Sequence, residues 1–269
     1  GRTAESVKEG HAMTTVHDFY QWLDAIAPFD TQDAYDNSGF LIGDPAAAVH
    51  RVLFSVDVTL SVVAQAARQN ANLIISHHPL MFSPIQQLRS DQGEGAVIRA
   101  LAASGISLIS AHTNLDRCTG GVADSLANAL ALEKITASAS DPYLRTGELA
   151  VPCTAKALLS LLNSRLSASA LLHGDPEAVV RSVAVVPGAG GDSYPHAQAG
   201  ALVTGELKHH EIIDACARGL IVFEAGHYET EFPGIAALYQ RFLATASDHD
   251  LAAEALLFSQ PSYPCITHV

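Results

Sequence analysis

Two adjacent histidines, His77 and His78, end an apolar run and are followed at once by Pro79 in residues 72–82, NLIISHHPLMF. The same habit recurs along the chain. LISAH ends in His112 with Asp116 four residues on, and VFEAGH ends in His227 with Glu231 four residues on. LVTGE ends in Glu206, with His209 and His210 shortly after. Neutral imidazole and carboxylate oxygen together suit a divalent metal: Zn, Fe, Mn or Ni. Adjacent residues on an extended strand point to opposite sides, so His77 and His78 can share a site only if the strand stops there. Pro79 has no N–H for a ladder and ends regular pairing. A histidine doublet of this kind suits two ions side by side better than one. Two ions about 3.5–4 Å apart form a hydrolytic device that makes hydroxide at neutral pH and clamps the reacting oxygens.

These residues must be placed by elements, and the elements alternate. Residues 15–28 predict an amphipathic helix with Phe19, Trp22, Leu23 and Ile26 on one face, stopped by Pro28. A polar loop (29–45) follows. Strands are predicted at 49–59, 72–79 and 106–114, with helices at 60–71, 96–105 and 121–132. Residues 135–153 read as a loop with some strand character, and 154–166 as a helix with Thr154 at its N-cap. A strand at 179–191 runs into a glycine-rich loop. Alternation then resumes, with strands at 200–206 and 220–226 and helices in 207–219 and 227–246. This order predicts an α/β fold of two similar lobes with mostly parallel sheets. The lobes cover about 13–135 and 181–269, joined by a central segment 136–180 and packed as one unit. Residues 1–12, with His11, read as an expression-tag remnant ahead of a native start at Met13. Ligands in open α/β sheets bind outside the carboxyl ends of the strands, which is where the histidines and carboxylates fall. If a helix begins at or before His227, Glu231 shares its face.

Composition narrows the function. Of 269 residues, 48% are hydrophobic and 16% charged, which allows a sizeable core and argues against disorder. The net charge of −13 disfavours general nucleic-acid binding, whose affinity comes mainly from phosphate neutralisation. Cys118, Cys153, Cys216 and Cys265 are widely spaced without a CxxC pair, so neither a disulfide framework nor a cysteine zinc site is expected. Reduced thiols and no apolar run of about 18 residues point to a cytoplasmic chain without a membrane span.

Other motifs carry less. His209 and His210 read equally as a polar helix face or as site residues. HEIID at His210 misses H-E-x-x-H, with Asp214 in place of the second histidine. His17, His50, His173, His249 and His268 read as surface residues. Residues 187–193, PGAGGDS, read as a tight turn rather than an anion loop, since no Gly-Lys-Ser/Thr follows.

Taken together, SHHPLMF, SAHTNLD, GELKHHE and EAGHYETE, with the early YDNSGFLIGDP, resemble the Nif-three-like family, also described as GTP cyclohydrolase I type 2 homologues. The likeness runs over nearly the whole chain from Met13. It implies two similar α/β halves with a di-metal centre in the cleft between them, assembled as a toroidal hexamer. It also implies His77, His78, Asp116, His227 and Glu231 as metal ligands, with Glu231 bridging and His112 beside them. PGAGG departs from the Gly-Gly-Ser-Gly-like turn of that family.

The leading expectation is a di-metal hydrolase of a small, nucleotide-like substrate, with His112 or Glu206 moving protons. The alternative is a metal-binding or protein-interaction module without turnover. A nucleic-acid factor is the weakest reading, given the charge.

Overall fold

The structure is a computed structural model that describes residues 13–91 and 93–261. The segment read as a tag remnant, with His11, lies outside the described residues, as do Cys265 and His268.

Thr15 starts helix α1 (Val16–Ile26) with a capping box: its side chain accepts the Asp18 N–H, and Asp18 accepts the Thr15 N–H. Val16, Phe19, Trp22 and Leu23 form the buried face. The stretch expected to be only a polar loop carries a strand, β1 (Gly39–Ile42). Then come β2 (Arg51–Ser55), α2 (Leu60–Arg68), β3 (Leu73–Ser76), α3 (Gly93–Ser104), β4 (Ser107–Ser110), α4 (Thr113–Arg117) and α5 (Val122–Ala129). The chain continues through β5 (Leu132–Ala137), β6 (Arg145–Thr154), α6 (Ala155–Leu166), β7 (Leu171–His173) and β8 (Val179–Ala189). It ends with β9 (Ala201–Glu206), α7 (His209–Ala217), β10 (Ile221–Glu224), α8 (His227–Thr245) and β11 (Glu254–Leu257).

These strands form two sheets. The five-stranded sheet has the order β1-β4-β3-β2-β11, parallel throughout except for β1. The six-stranded sheet has the order β5-β6-β8-β9-β10-β7, and only β8, β9 and β10 run parallel. The second sheet is therefore mixed, because β5, at the end of the first lobe, and β6 and β7 of the central segment join it as antiparallel strands. β11 leaves the C-terminal stretch and pairs with β2 in the first sheet, so the chain crosses back between the sheets.

Helix α8 makes that crossing. It packs on β8 and β9 of one sheet and on β2 and β11 of the other. Phe242 near its C-terminal end meets Phe19 and Trp22, with ring centroids 5.4 and 5.5 Å away. Near its middle, Gly234 lies so close to α5 that a Cβ there would be 2.8 Å from Val122 Cα. A helix wedged between two sheets in this way holds fixed whatever its first turns carry.

The Thr154 cap is present: its Oγ1 accepts the Ala157 N–H at 3.2 Å. Thr154→Ala is expected to cost about 1 kcal/mol in urea unfolding. An unchanged midpoint would show that water replaces the cap without loss.

Candidate metal centre

β2, β3 and β4 end on three serines in register, Ser55 beside Ser76 and Ser76 beside Ser110. Ser76 Oγ lies 2.7 Å from Ser110 Oγ and donates to the His78 carbonyl at 2.9 Å. Two residues beyond each serine stands a polar group of the centre: Asp57, His78 and His112. The backbone stays paired as it leaves the sheet, with His77 N–H donating to Ser55 O at 3.1 Å and His78 N–H to Val56 O at 2.9 Å. Because regular pleating stops at Ser76, both rings enter the same site, their centroids 5.1 Å apart.

From the other sheet, β10 turns into α8 through Gly226, whose φ of 93° is left-handed and suits glycine. The turn puts His227 at the first helical position and Glu231 one turn on, with His227 Nε2 3.0 Å from Glu231 Oε1. Glu231 Oε1 also lies 3.6 Å from His77 Nε2, and Oε2 lies 3.0 Å from His78 Nε2. Asp116 on α4 brings Oδ1 to 3.4 Å from His77 Nε2.

All four imidazoles are oriented the same way. Nδ1 faces an oxygen acceptor: Ala111 O for His77 (2.9 Å), Asp57 for His78 (2.7 Å), Asp36 for His112 (2.9 Å) and Glu206 for His227 (3.0 Å). That leaves each Nε2 as the free ligand atom, which is how an outer carboxylate or carbonyl prepares a metal-binding histidine. Two overlapping groups result, His77/His78/His112 and His78/His227/Glu231, the donor atoms in each within 4.8 Å of one another.

The residues fit metal ions on a second ground. His77 is fully buried and Glu231 is 4% exposed, yet among the described residues His77 Nε2 and Asp116 Oδ1 have no hydrogen-bond partner. Buried polar atoms are rarely left so, and these two lie 3.4 Å apart, open to a shared ion. The charges agree. Burial opposes the charged form of His77, but the Asp116 and Glu231 carboxylates outweigh it and raise its pKa well above the usual value. Burial likewise opposes ionisation of Glu231, while His77, His227 and His78 hold its carboxyl well below the usual range. Asp36, desolvated but bonded to His112 and Thr113, is also held low.

Asp36 and Asp57 are groups that the strand-end pattern of histidines did not single out. Asp57 had a legible signal, since it follows β2 as His78 follows β3. Asp36 had only its place in the YDNSG segment. Gly188 of the PGAGGDS turn also borders the centre: its φ is 63°, and a Cβ there would be 2.5 Å from Glu231 Oε1. His209 and His210 are exposed at the start of α7 and lie outside both donor groups. Asp214 of the HEIID stretch is bonded to Arg218 and Tyr194. His17, His50 and His249 are exposed, whereas His173 is half-buried and bonded to Glu224 at 2.7 Å.

Asp57→Asn is expected to weaken metal binding by about 10–100-fold while the protein stays folded, because the amide no longer raises the basicity of His78. Competition with a chromophoric chelator measures this, and an unchanged affinity removes Asp57 from the centre.

A cleft of about 440 Å3 opens onto His112, Asp116, His227 and Glu231, with Tyr35 and Tyr143 among its walls. Burial, followed by Asp33, raises the Tyr143 phenol, so it stays a protonated donor.

Among known proteins, the family model described as Duf34/NIF3 (NGG1p interacting factor 3) matches residues 14–262. A Streptomyces coelicolor protein named GTP cyclohydrolase 1 type 2 homolog is 36% identical over 226 residues, covering 78% of this chain and 79% of the relative. The crystal structure of Staphylococcus aureus protein SA1388 superposes with a TM-score of 0.88 at 25% identity, covering 95% of this chain and all of that one. A Bacillus cereus protein related to NIF3 shares the fold, with a TM-score of 0.89 at 20% identity over 95% of this chain and 100% of its own.

Proposed function

Since this chain belongs to the Duf34/NIF3 (NGG1p interacting factor 3) family, we propose that it binds two divalent metal ions and hydrolyses a small substrate with them. The observation that carries this reading is the pair of adjoining donor groups, His77/His78/His112 and His78/His227/Glu231, with each imidazole Nδ1 already engaged. His77, Asp116 and Glu231 would hold one ion, and His78, His227 and Glu231 the other, with His112 beside the first; Zn, Fe, Mn and Ni all accept this donor set. Such a pair of ions supplies Lewis acidity and a water acidified to neutral pH.

The residues around the ions have their own work. Asp57, Asp36 and Glu206 fix the tautomer and aim of the rings they touch. His112 lies at the cleft and keeps a proton on Nδ1 against Asp36, and Glu206 is 61% exposed, so these two are placed to exchange protons with substrate or water. The deep burial of His77 and Glu231 also suits a second reading, a closed metal site in a regulatory module without turnover.

Elemental analysis is expected to find two ions per chain. The loaded protein is then screened against GTP, named for its relatives, and against phosphoesters and cyclic amides. Turnover that tracks occupancy supports the hydrolase. Retained metal without turnover across the panel supports the module, and absence of metal sinks both. The same proposal includes a toroidal homohexamer, which light scattering would read as six chains. Among the described residues no helix is long and apolar enough to cross a membrane.

A further inference from the structure

The walls of the cleft differ in character from its floor. Tyr35 is 64% exposed and meets Phe82 edge-on, with centroids 6.2 Å apart; Phe82 in turn meets His112 edge-on at 6.0 Å. Aromatic surface therefore leads from solvent to the candidate ions. Tyr143, in the same cleft, donates to Asp33 Oδ2 at 2.6 Å. Arg117 Nη1 lies 3.3 Å from Asp33 Oδ1, and its guanidinium sits over the Tyr143 ring at 5.4 Å. Asp33 is thus paired with Arg117 and tied down, and Tyr143 is held with it.

The other charged groups on the cleft are Asp116, Asp192 and Glu231, and no Lys or Arg is among the described residues that line it. Metal loading does not reverse this sign. Two divalent ions bring four positive charges against five carboxylates that hold them or orient their ligands: Glu231, Asp116, Asp36, Asp57 and Glu206. Asp192 adds to the negative side. Charges this close and partly desolvated act strongly on a bound anion.

Building on the metal-centre reading above, we propose that the cleft selects a flat, neutral or cationic nitrogen heterocycle of nucleobase or nucleoside size and disfavours polyphosphates. The ring stacks on Tyr35, its N–H groups donate to Asp192, and a cyclic amide or amidine is delivered to the ions. The cleft volume falls within the range of about 300–1,000 Å3 usual for such ligands.

The test is calorimetric titration of the metal-loaded protein, at low ionic strength, with guanosine, GMP, GTP and the flat cation benzamidine. Guanosine is expected to bind at least tenfold tighter than GTP, with GMP between them. Tyr35→Ala is expected to weaken guanosine about tenfold, the usual worth of one base stacked on an aromatic ring, with metal content unchanged. Tighter binding of GTP than guanosine overturns the proposal. So does an unaffected Tyr35→Ala variant, or failure of both guanosine and benzamidine to bind. Metal analysis of the same samples separates the two readings. A protein without metal that still ranks guanosine above GTP overturns the metal centre and supports the cleft. One that holds two ions and ranks GTP first overturns the cleft alone.

Discussion

Glu231→Gln is expected to lower metal affinity by more than about 100-fold, since replacing an outer-shell partner alone costs about 10–100-fold and Glu231 lies at the centre itself. Its two oxygens lie within 3.0–3.6 Å of three different imidazole nitrogens, so one donor group loses a member and the other loses the carboxylate that faces His77 and His78. The substitution keeps the side-chain volume, which separates lost ligation from a packing fault. It also removes the one carboxylate that balances His77, His78 and His227 together. Breaking a buried ion pair by deleting one partner costs about 3–5 kcal/mol, so the metal-free variant is expected to melt earlier than the metal-free parent. Elemental analysis and thermal unfolding with and without chelator read the two effects separately. Full occupancy in Glu231→Gln would sink the assignment of the bridging group.

That Glu231 could be singled out at all shows what a sequence makes legible. Helical spacing is local, so His227 and Glu231 share a face as soon as a helix begins at His227. Strand ends are local too: an apolar run that stops at His77 or His112 announces its rim. The partners on Nδ1 are not local. Asp36 meets His112 across 76 residues of chain and Glu206 meets His227 across 21, and only the folded sheets bring them together. Asp57 was within reach, because the register of Ser55, Ser76 and Ser110 makes it the counterpart of His78 and His112.

The same division runs through the fold. The parallel strands of the first sheet follow from buried runs separated by helices. β1 and β11 are half-buried edge strands whose short runs carry little apolar signal, and their places depend on partners far away in sequence. Gly188 is the least legible of all. Nothing in PGAGG announces that a methyl group there would strike the carboxylate on α8. Its glycine reads as a turn from sequence, and as a cradle for Glu231 only in the structure.

Metal affinity is expected to climb with pH between about 6.5 and 9, by about tenfold per unit for each imidazole proton displaced. Burial alone would hold His227 neutral, but Glu231 and Glu206 overcome it and raise the group from 6.5 to about 9. His77 and His78 are also raised, chiefly by carboxylates that outweigh their burial. A metal ligates neutral imidazole, so below the raised pKa each proton competes with the ion. The metal-free protein has the opposite slope. A group whose folded pKa is raised stabilises fully below its unfolded value, and that contribution fades as pH rises through the folded value. For His227 this amounts to about 1–2 kcal/mol once solvent screening of a partly exposed pair is allowed for. At fixed free metal, the melting-temperature gap between loaded and chelated protein is therefore expected to widen steadily from pH 6.5 to 9. A constant gap across that window would mean that metal and protons do not compete for these imidazoles, and would place the ions elsewhere in the molecule.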